Sequence, residues 1–292
     1  MRRERWLLVG GSLIVVAHAA NLFLRGLFGV PASTVAFVLL VALFATWHGV
    51  LRYGFARILA FGVGVTLISG LYETLSMLTG FPFGWYQYTA KIGPMVGLVP
   101  LIVPPVYFAM GYVSWAVAHA LLSVHDGVLS GWRLIAVPIA AAFIMVIWHL
   151  PIDPVHATVG GYWAWRQGGP FFGVPLSNFA GWWLCVWTFF MAFAAFNRAP
   201  PAAGVPPIVQ RRFYWLLPVG IYVAFTLDHV GGALAGESHA VATRDGRIWW
   251  TGDIRGSMML IAMITSVPIA LNAVYRIFRD LPAASGAERD PA

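Results

Sequence analysis

Eight long apolar stretches, separated by short segments rich in proline, glycine or arginine, constrain this chain more than any other feature. Each stretch is close to the roughly 20 residues that an α-helix needs to cross the hydrocarbon core of a bilayer. They run approximately over residues 6–24, 32–50, 55–78, 95–122, 132–150, 174–196, 213–234 and 256–278. The sequence therefore predicts an all-α, polytopic transmembrane helix bundle of about eight spans.

The composition agrees with a membrane protein and excludes an ordinary soluble domain, because 60% of the 292 residues are hydrophobic and only 10% are charged. A net charge of +7 could indicate a nucleic-acid partner, but the arginines lie between the apolar stretches instead of forming one patch. We therefore expect no nucleic-acid partner. We expect residues 1–280 to form a single transmembrane domain and residues 281–292 a disordered cytoplasmic tail.

Lysine and arginine are more frequent at the termini, and in the loops on the same side, than in the loops on the other side. The positive-inside rule then predicts a multi-pass protein of the cell's inner (plasma) membrane with both termini in the cytoplasm. The basic start of the chain also resembles a signal peptide. The apolar run from Trp6 to Leu24 is long enough to span, which favours a retained first helix.

Prolines mark the fourth stretch, since Pro100, Pro104 and Pro105 all fall in its first half. Proline removes a backbone donor and clashes with the preceding turn, so we expect this helix to be bent or broken. Two connecting segments, residues 81–94 and 153–178, are dense in glycine, proline, tryptophan and tyrosine. This composition predicts re-entrant or interfacial loops, although an aromatic belt at the membrane surface would look similar.

A carboxyl group lies inside the third stretch, where Glu73 shares a helical face with Thr66, Ser69, Tyr72 and Ser76. A charged side chain at membrane depth costs about 2.5–3.5 kcal/mol on insertion scales, so such a residue is by default functional. The alternative is that Glu73 only pairs with a basic or backbone group and holds helices together.

The predicted topology brings further polar residues to the same end of the bundle as Glu73, namely Asp153, Asn178, Asp228 and His229. A catalytic pocket requires such agreement in depth, whereas scattered structural residues do not. Asp153 lies between two prolines and could instead only end a helix. Asp228 and His229 are adjacent and point about 100° apart on a helix, so we expect one of them to face the pocket, and the spacing slightly favours His229.

Metal chemistry is not indicated by the sequence. The histidines include no pair at i, i+3 or i, i+4 spacing, which argues against a histidine-rich di-iron site. No acidic DxxD pair is present to hold magnesium and a diphosphate. His119 and His149 are more typical of satisfied core or interfacial histidines than of ligands. We predict neither a metal nor another cofactor.

Several compound motifs follow one another through the middle of the chain, over about residues 70–190. In order they are Glu73, FPFGWYQYT at 81–89, the proline-rich fourth stretch, Asp153-Pro154, Trp163-x-Trp165 and GVPLSNFAGW at 173–182. This order resembles the carotenoid biosynthesis family that includes CruF-type carotenoid hydratases and bisanhydrobacterioruberin hydratases. The resemblance implies addition of water across the terminal 1,2 double bond of an acyclic carotenoid, which gives a tertiary alcohol without a redox cofactor. The polar segment 236–253 departs from the family and could shape a different substrate.

Hydration of such an alkene needs an acid that protonates one carbon, a site that holds the tertiary cation, and a base for the attacking water. A carboxyl group removed from water can stay protonated at neutral pH. We predict Glu73 and Asp153 as an acid and base pair in either order, with Asp228 as a third catalytic candidate. Aromatic faces stabilise cations, and polar groups at a wet edge orient water. The residues predicted to bind substrate are Tyr72, Trp85, Tyr86, Tyr88, His149, Trp163, Trp165, Asn178 and His229.

The predicted partners are an acyclic carotenoid or another long isoprenoid, water and membrane lipids. The same cation would lead to double-bond isomerisation or cyclisation if water were excluded. A non-catalytic carrier or assembly subunit for carotenoids or lipids is the alternative from a different class of protein. In that case loss of Glu73 would affect stability or binding and no product.

Overall fold

The structure is a computed structural model that describes residues 2–28, 31–125, 129–198 and 206–282. The predicted tail lies outside the described residues from residue 283 onward. Leu281, where that tail was predicted to begin, is buried, and its carbonyl accepts a hydrogen bond from Arg212 Nε at 2.8 Å. The packed part of the chain therefore extends at least to Leu281.

Helices dominate the described residues, which confirms the predicted all-α bundle. The α-helices are α1 (Arg2–Phe28), α2 (Pro31–Tyr53), α3 (Phe55–Thr79), α4 (Val103–Leu121), α5 (Arg133–His149), α6 (Leu176–Phe196), α7 (Arg212–Ala224), α8 (Thr226–Ala235) and α9 (Thr251–Asp280). A π-helical segment, Pro154–Val159, follows α5, and short 3₁₀ turns lie at Ala90–Ile92 and Pro207–Gln210.

Seven segments of the described chain are long and apolar enough to cross a membrane. Two of them are composite: α5 continues through the π-helical segment as 133–159, and α7 continues into α8 as 212–235. The chain is therefore a multi-pass membrane protein. The fourth predicted span, 95–122, corresponds to α4, which is not among the seven. The other helices enclose it, and every residue from Ala109 to Ala120 is buried.

The prediction of a proline-broken fourth helix is wrong. Residues 95–100, expected to be helical, form a small antiparallel hairpin of β2 (Met95–Val96) and β3 (Val99–Pro100). The helix begins only at Val103, so Pro104 and Pro105 lie in its first turn. Backbone N–H groups in the first turn have no intrahelical acceptor, so the N–H that proline lacks is not missed there. The irregular helical backbone lies elsewhere, in the π-helical segment after α5 and at Phe225 between α7 and α8.

The two aromatic loops join each other through a short antiparallel ladder. Strand β1 (Tyr86–Tyr88) pairs with β4 (Trp163–Trp165), with Tyr86 opposite Trp165 and Tyr88 opposite Trp163. The ladder links the end of α3 to the segment that follows α5, and so fixes the position of two loops that are far apart in sequence. A third hairpin, β5 (Ala240–Ala242) with β6 (Ile248–Trp250), precedes α9.

Glycines allow α1 and α8 to cross closely. A Cβ atom at Gly26 would lie 2.3 Å from the backbone oxygen of Asp228, and one at Gly231 would lie 2.8 Å from the backbone oxygen of Phe23. Lipid tails are as apolar as leucine, so helices in a membrane gain from close backbone packing of this kind more than from apolar burial. The crossing holds the start of α8 against the end of α1.

Candidate functional site

A cavity of about 330 Å³ opens among the ends of α1, α3 and α5, the starts of α2, α4 and α6, and the two aromatic loops. This volume is at the lower end of the roughly 300–1,000 Å³ that is usual for small-molecule pockets. Its wall is mainly apolar and aromatic. Among the predicted site residues it includes Glu73, Tyr86, Tyr88, His149, Asp153, Trp163, Trp165 and Asn178.

Glu73 is almost fully buried, with 2% of its surface exposed, and three tyrosine hydroxyls donate to its carboxyl group. Tyr86 and Tyr88 both donate to Oε2, the latter at 2.9 Å, and Tyr107 donates to Oε1 at 2.8 Å. None of these partners is basic, so the alternative of a structural ion pair with an arginine does not describe this residue.

Local structure explains why two tyrosines reach the same carboxyl oxygen. Tyr86 and Tyr88 are two positions apart on β1, and alternate side chains of a strand point to the same face. The strand is held in place by the turn before it. Gly84 has φ +90°, a backbone conformation that favours glycine, and a Cβ atom at Gly181 of α6 would lie 2.7 Å from the Pro82 oxygen. The turn therefore packs directly on α6.

The acidity of Tyr88 follows from this environment. Burial raises the pKa of Tyr88 well above its usual value, and the negative charges of Glu73 and Asp153 raise it further. The hydroxyl therefore stays protonated and remains a donor at any physiological pH.

Asp153 is the second buried acid, with 1% of its surface exposed. Its Oδ2 accepts a hydrogen bond from Asn178 Nδ2, and it lies 2.7 Å from His149 Nε2, within ion-pair distance although not aligned as a hydrogen bond. The residue stands immediately before the π-helical segment, a type of distortion that is frequent at functional sites. It does not merely end a helix, because the helical path continues beyond it.

Stacked rings connect the two acids across the cavity. Tyr107, which donates to Glu73, stacks on Trp182 with ring centroids 4.4 Å apart. Trp182 in turn stacks on His149 at 3.5 Å. The two carboxyl groups therefore belong to one contiguous set of contacts with aromatic walls. A site of this kind has one carboxyl group that can donate a proton to a bound apolar group and another that can accept one.

Four of the predicted site residues do not line the cavity. Tyr72 lies at the contact of α3 with α6, where its hydroxyl is 3.1 Å from Thr188 Oγ1. Trp85 is 43% exposed, with Arg166 over its ring at 5.4 Å. Their positions therefore do not support a place in the substrate pocket. Tyr72 is next to Glu73 on α3, so the two side chains point about 100° apart, and Trp85 is next to Tyr86, so it points to the opposite side of the extended backbone.

Asp228 and His229 are the other two. Arg25 holds Asp228 in a two-pronged ion pair, Nε to Oδ1 at 2.9 Å and Nη2 to Oδ2 at 2.5 Å. His229 is buried beside Phe225, with ring centroids 5.0 Å apart. Neither side chain reaches the cavity wall, although Arg25 and Phe225 do. The expectation that one of the two faces the pocket is therefore not met.

The site also contains residues that the sequence analysis did not select. Tyr107, Trp182 and Arg25 line the cavity, as do Trp148, His156 and Lys91. Tyr107 and Trp182 were inside the motifs that carry the family resemblance, so their presence in those motifs was the available signal. No comparable signal marked Arg25, whose partner is 203 positions away.

The polar segment 236–253 packs beside the site and contributes no residue to the described cavity wall. Its hairpin lies on the loop at 168–173: a Cβ atom at Gly168 would be 2.4 Å from the Asp245 carboxyl, and Arg247 Nη1 donates to the Gly169 oxygen at 3.3 Å.

Within the described residues, no three His, Cys, Asp or Glu side chains are grouped so as to hold a metal ion.

Comparisons with known proteins identify the family to which the chain belongs. Residues 31–242 match the family described as carotenoid biosynthesis protein. The bisanhydrobacterioruberin hydratase of Haloarcula japonica is 31% identical over 123 residues, which is 42% of this chain and 40% of that protein. The chain is thus aligned with less than half of this relative's length. No solved structure matches the chain. Since the family match covers most of the sequence, the chain belongs to the carotenoid biosynthesis protein family.

Proposed function

We propose that this membrane protein is a carotenoid hydratase that adds water across the terminal 1,2 double bond of an acyclic carotenoid. The observation that carries the proposal is the cavity itself, whose wall includes two buried carboxyl groups, Glu73 and Asp153, among aromatic side chains. Membership of a carotenoid biosynthesis family and a partial likeness to a protein named as a hydratase support the substrate class and the reaction. Water and an isoprenoid end group are the reactants, and no cofactor is needed.

The reaction balances with water alone. A proton goes to the less substituted alkene carbon, and the π electrons form the new C–H bond, which leaves a tertiary cation at the other carbon. A water molecule attacks that carbon and forms the C–O bond, then loses one proton. One proton is consumed and one is released, so the product is the alkene plus one water.

We assign proton delivery to Asp153 and proton acceptance to Glu73. Three phenols donate to the Glu73 carboxyl group, an arrangement that suits a group acting as an acceptor. The described contacts of Asp153 with Asn178 and His149 both fall on Oδ2, which leaves Oδ1 for the substrate. Before the next turnover the proton on Glu73 leaves to water and Asp153 takes one up, and His149 Nε2, 2.7 Å from Asp153 Oδ2, is placed to pass that proton to Asp153.

Aromatic side chains supply the remaining requirement, which is to stabilise the carbocation until water attacks it. Trp182 and Tyr107 stack in the cavity wall, and Trp165 lies nearby with its indole N–H donating to the Phe83 oxygen at 3.0 Å. A desolvated contact between a cation and an aromatic face is worth up to about 2 kcal/mol. The apolar wall also keeps bulk water from reaching the cation from other directions.

The test is product analysis by mass spectrometry and absorbance in cells that accumulate an acyclic carotenoid. Wild type should give a mass gain of one water with an unchanged chromophore. Asp153→Asn should lower product by about 10²–10⁴-fold, because removal of a general acid typically costs that much. Asp253→Asn, a substitution of the same kind at an exposed acid of α9, is the matched control and should behave as wild type.

Glu73→Gln separates the roles of the two acids. If Asp153 is the acid, this variant still forms the cation but loses the base for water, so double-bond isomers should appear in place of the alcohol. The exposed Glu237→Gln is its matched control. An unchanged mass with a shifted spectrum from wild type would show isomerisation or cyclisation as the native reaction. No new product from wild type on C40 and C50 substrates would favour a carrier.

We further propose that α4 crosses inside the bundle as an eighth span, and that the protein lies in the cell's inner (plasma) membrane with both termini cytoplasmic and the cavity toward the outer leaflet. The bias of basic residues supports this orientation. The only cysteine, Cys185, is buried, so introduced cysteines can report the topology. A membrane-impermeant thiol reagent added to intact cells should label Lys91→Cys and leave Arg279→Cys unlabelled, and the reverse pattern would invert the orientation.

A further inference from the structure

Ser76 connects the helix that carries Glu73 to the turn that precedes β1. It lies three residues after Glu73, on the same face of α3, and its side chain is fully buried. Its hydroxyl donates to the Gly84 oxygen at 2.9 Å and accepts a hydrogen bond from the Phe83 N–H at 3.0 Å. The last two residues of the turn at 80–84 are therefore held by a side chain of α3.

The turn at residues 80–84 determines where β1 starts. Only Trp85 lies between Gly84 and Tyr86, so the position of Gly84 limits the position of the first tyrosine of the strand. Consecutive Cα atoms are about 3.8 Å apart, which leaves Tyr86 little freedom to move independently. The ladder with β4 holds the strand from one side, but β4 belongs to another loop. The Ser76 hydroxyl instead ties the turn to the helix of Glu73 itself.

Glu73, two of its phenol donors and Ser76 form a closed circuit of contacts. Tyr86 and Tyr88 donate to Glu73 Oε2, the strand leads back to the turn, and the turn is bound to Ser76 on the same helix as Glu73. A circuit closed in this way has few alternative arrangements, because a shift of the strand would stretch either the bonds to Glu73 or those to Ser76. Catalytic side chains need to be held within about 0.5 Å of their productive place, and supporting hydrogen bonds supply that precision.

We propose that Ser76 is a positioning residue for the reaction, whose hydroxyl sets the place of Tyr86 and Tyr88 and, through them, the orientation of the Glu73 carboxyl group. This inference rests on the proposed function and adds to it a residue that acts through the two tyrosines. Ser76 is not among the residues of the described cavity wall. A loss of alcohol in its variants would therefore not result from a lost contact with the substrate.

Thr79, the last residue of α3, provides a matched control. Its hydroxyl also donates to a backbone oxygen, that of Leu75 at 2.7 Å, and accepts from a backbone N–H, that of Phe81 at 3.2 Å. Thr79 is exposed, however, and neither bond reaches the end of the turn. Ser76→Ala should lower kcat for alcohol formation by about tenfold with KM nearly unchanged, and should raise the share of double-bond isomers, because a displaced Glu73 is a poorer base for the attacking water. Thr79→Val, which also removes a hydroxyl, should behave as wild type.

Double variants test whether Ser76 acts through the tyrosines. When Tyr86→Phe and Tyr88→Phe are already present, adding Ser76→Ala should cause no further loss of alcohol, because the hydroxyls that it positions are gone. In a Tyr107→Phe background it should keep its full effect, since that tyrosine is on α4. Ser76→Cys keeps the shape and offers a weaker donor, so it should give a smaller loss and replaces Ser76→Ala if the latter does not fold. Equal additional losses in both backgrounds would overturn the inference.

An infrared measurement without substrate keeps this inference separate from the hydratase assignment. The band of the Glu73 carboxyl group, identified as the band that Glu73→Gln removes, reports the hydrogen bonds to that group. Ser76→Ala should shift this band in the same direction as Tyr86→Phe does, and Thr79→Val should leave it in place. An unshifted band in folded Ser76→Ala would overturn the inference. The expected shift in a protein whose wild type makes no alcohol would support the positioning of Glu73 by Ser76 and overturn only the proposed function.

Discussion

Two buried polar clusters stand at opposite ends of the bundle, and only one of them is built around a cavity. At the far end, His48 of α2 lies with Nδ1 2.5 Å from the Tyr112 hydroxyl and Nε2 2.7 Å from the Tyr214 oxygen. The Tyr214 hydroxyl donates back to the His48 oxygen at 3.1 Å. In this group, the His48 cluster, both ring nitrogens of His48 contact protein groups, and none of the three residues lines the cavity beside Glu73.

The cluster at Glu73 has similar ingredients but a different arrangement. It too combines buried tyrosines and a histidine, yet its centre is a pair of carboxyl groups that face open space. Burial of polar groups is therefore a poor guide to function by itself, because a closed hydrogen-bond network can serve packing alone. The combination of titratable acids with room for a ligand is what separates the two clusters.

The largest expected contrast is between Glu73→Gln and His48→Gln. Glu73→Gln should lower alcohol formation per folded molecule by about 10²–10⁴-fold, since it removes a general acid or base. His48→Gln should leave that rate within about twofold and instead lower the thermal unfolding temperature in detergent, because it leaves buried partners unsatisfied. Chromatographic product analysis and thermal unfolding on the same samples measure both effects. A rate loss as large in His48→Gln would erase the distinction between the clusters.

The next largest effect concerns Asp228, which was predicted from the sequence as a third catalytic candidate. Its buried ion pair with Arg25 predicts a structural role instead. Asp228→Asn leaves Arg25 without its charged partner, so we expect a loss of about 3–5 kcal/mol in stability and an unchanged rate per folded molecule. Denaturation of the purified protein measures the first and product analysis the second.

A double variant provides the control for Asp228. Arg25→Met with Asp228→Leu removes both charges and should be more stable than Asp228→Asn alone, because no uncompensated charge is left. If Asp228→Asn instead abolishes the alcohol in a protein of normal stability, Asp228 acts in the reaction and the assignment to Asp153 and Glu73 is incomplete.

The predictable part of the site is the part that short-range periodicity controls. The place of Glu73 on α3 follows from helical spacing, and the common direction of Tyr86 and Tyr88 follows from strand alternation. The sequence also predicted Asp153 and Asn178 at the same end of the bundle, although not the hydrogen bond between them. The membrane spans themselves followed from length and hydropathy.

The unpredicted part depends on contacts between distant segments. Tyr107, which donates to Glu73, lies near the start of α4, and that helix begins at Val103 after a hairpin at residues 95–100 that was not predicted. The prolines of the fourth apolar stretch predicted an irregular helix, but they did not predict that Pro104 and Pro105 would lie in the first turn of α4. The pair of Arg25 with Asp228 links α1 to α8, and nothing local in either helix specifies it.

The smallest expected effect compares two tyrosines of α4, one in each cluster. Tyr107→Phe removes a hydroxyl that donates to Glu73 at 2.8 Å, and Tyr112→Phe removes one that lies 2.5 Å from His48. Each substitution deletes a single oxygen from a buried ring, and the two rings lie five residues apart on α4. A hydrogen bond to a charged group contributes about 1.5–3 kcal/mol.

If that contribution at Tyr107 is used to hold the Glu73 carboxyl group as an acceptor, Tyr107→Phe should lower kcat by about tenfold or more with KM nearly unchanged. Tyr112→Phe should change neither constant and should lower only the unfolding temperature. Steady-state kinetics on a water-soluble dispersion of substrate, with unfolding measured in parallel, decide the matter. Equal kinetic effects of the two substitutions would mean that the tyrosines tune the rigidity of α4 as a whole, and that the hydrogen bonds around Glu73 have no special part in the chemistry.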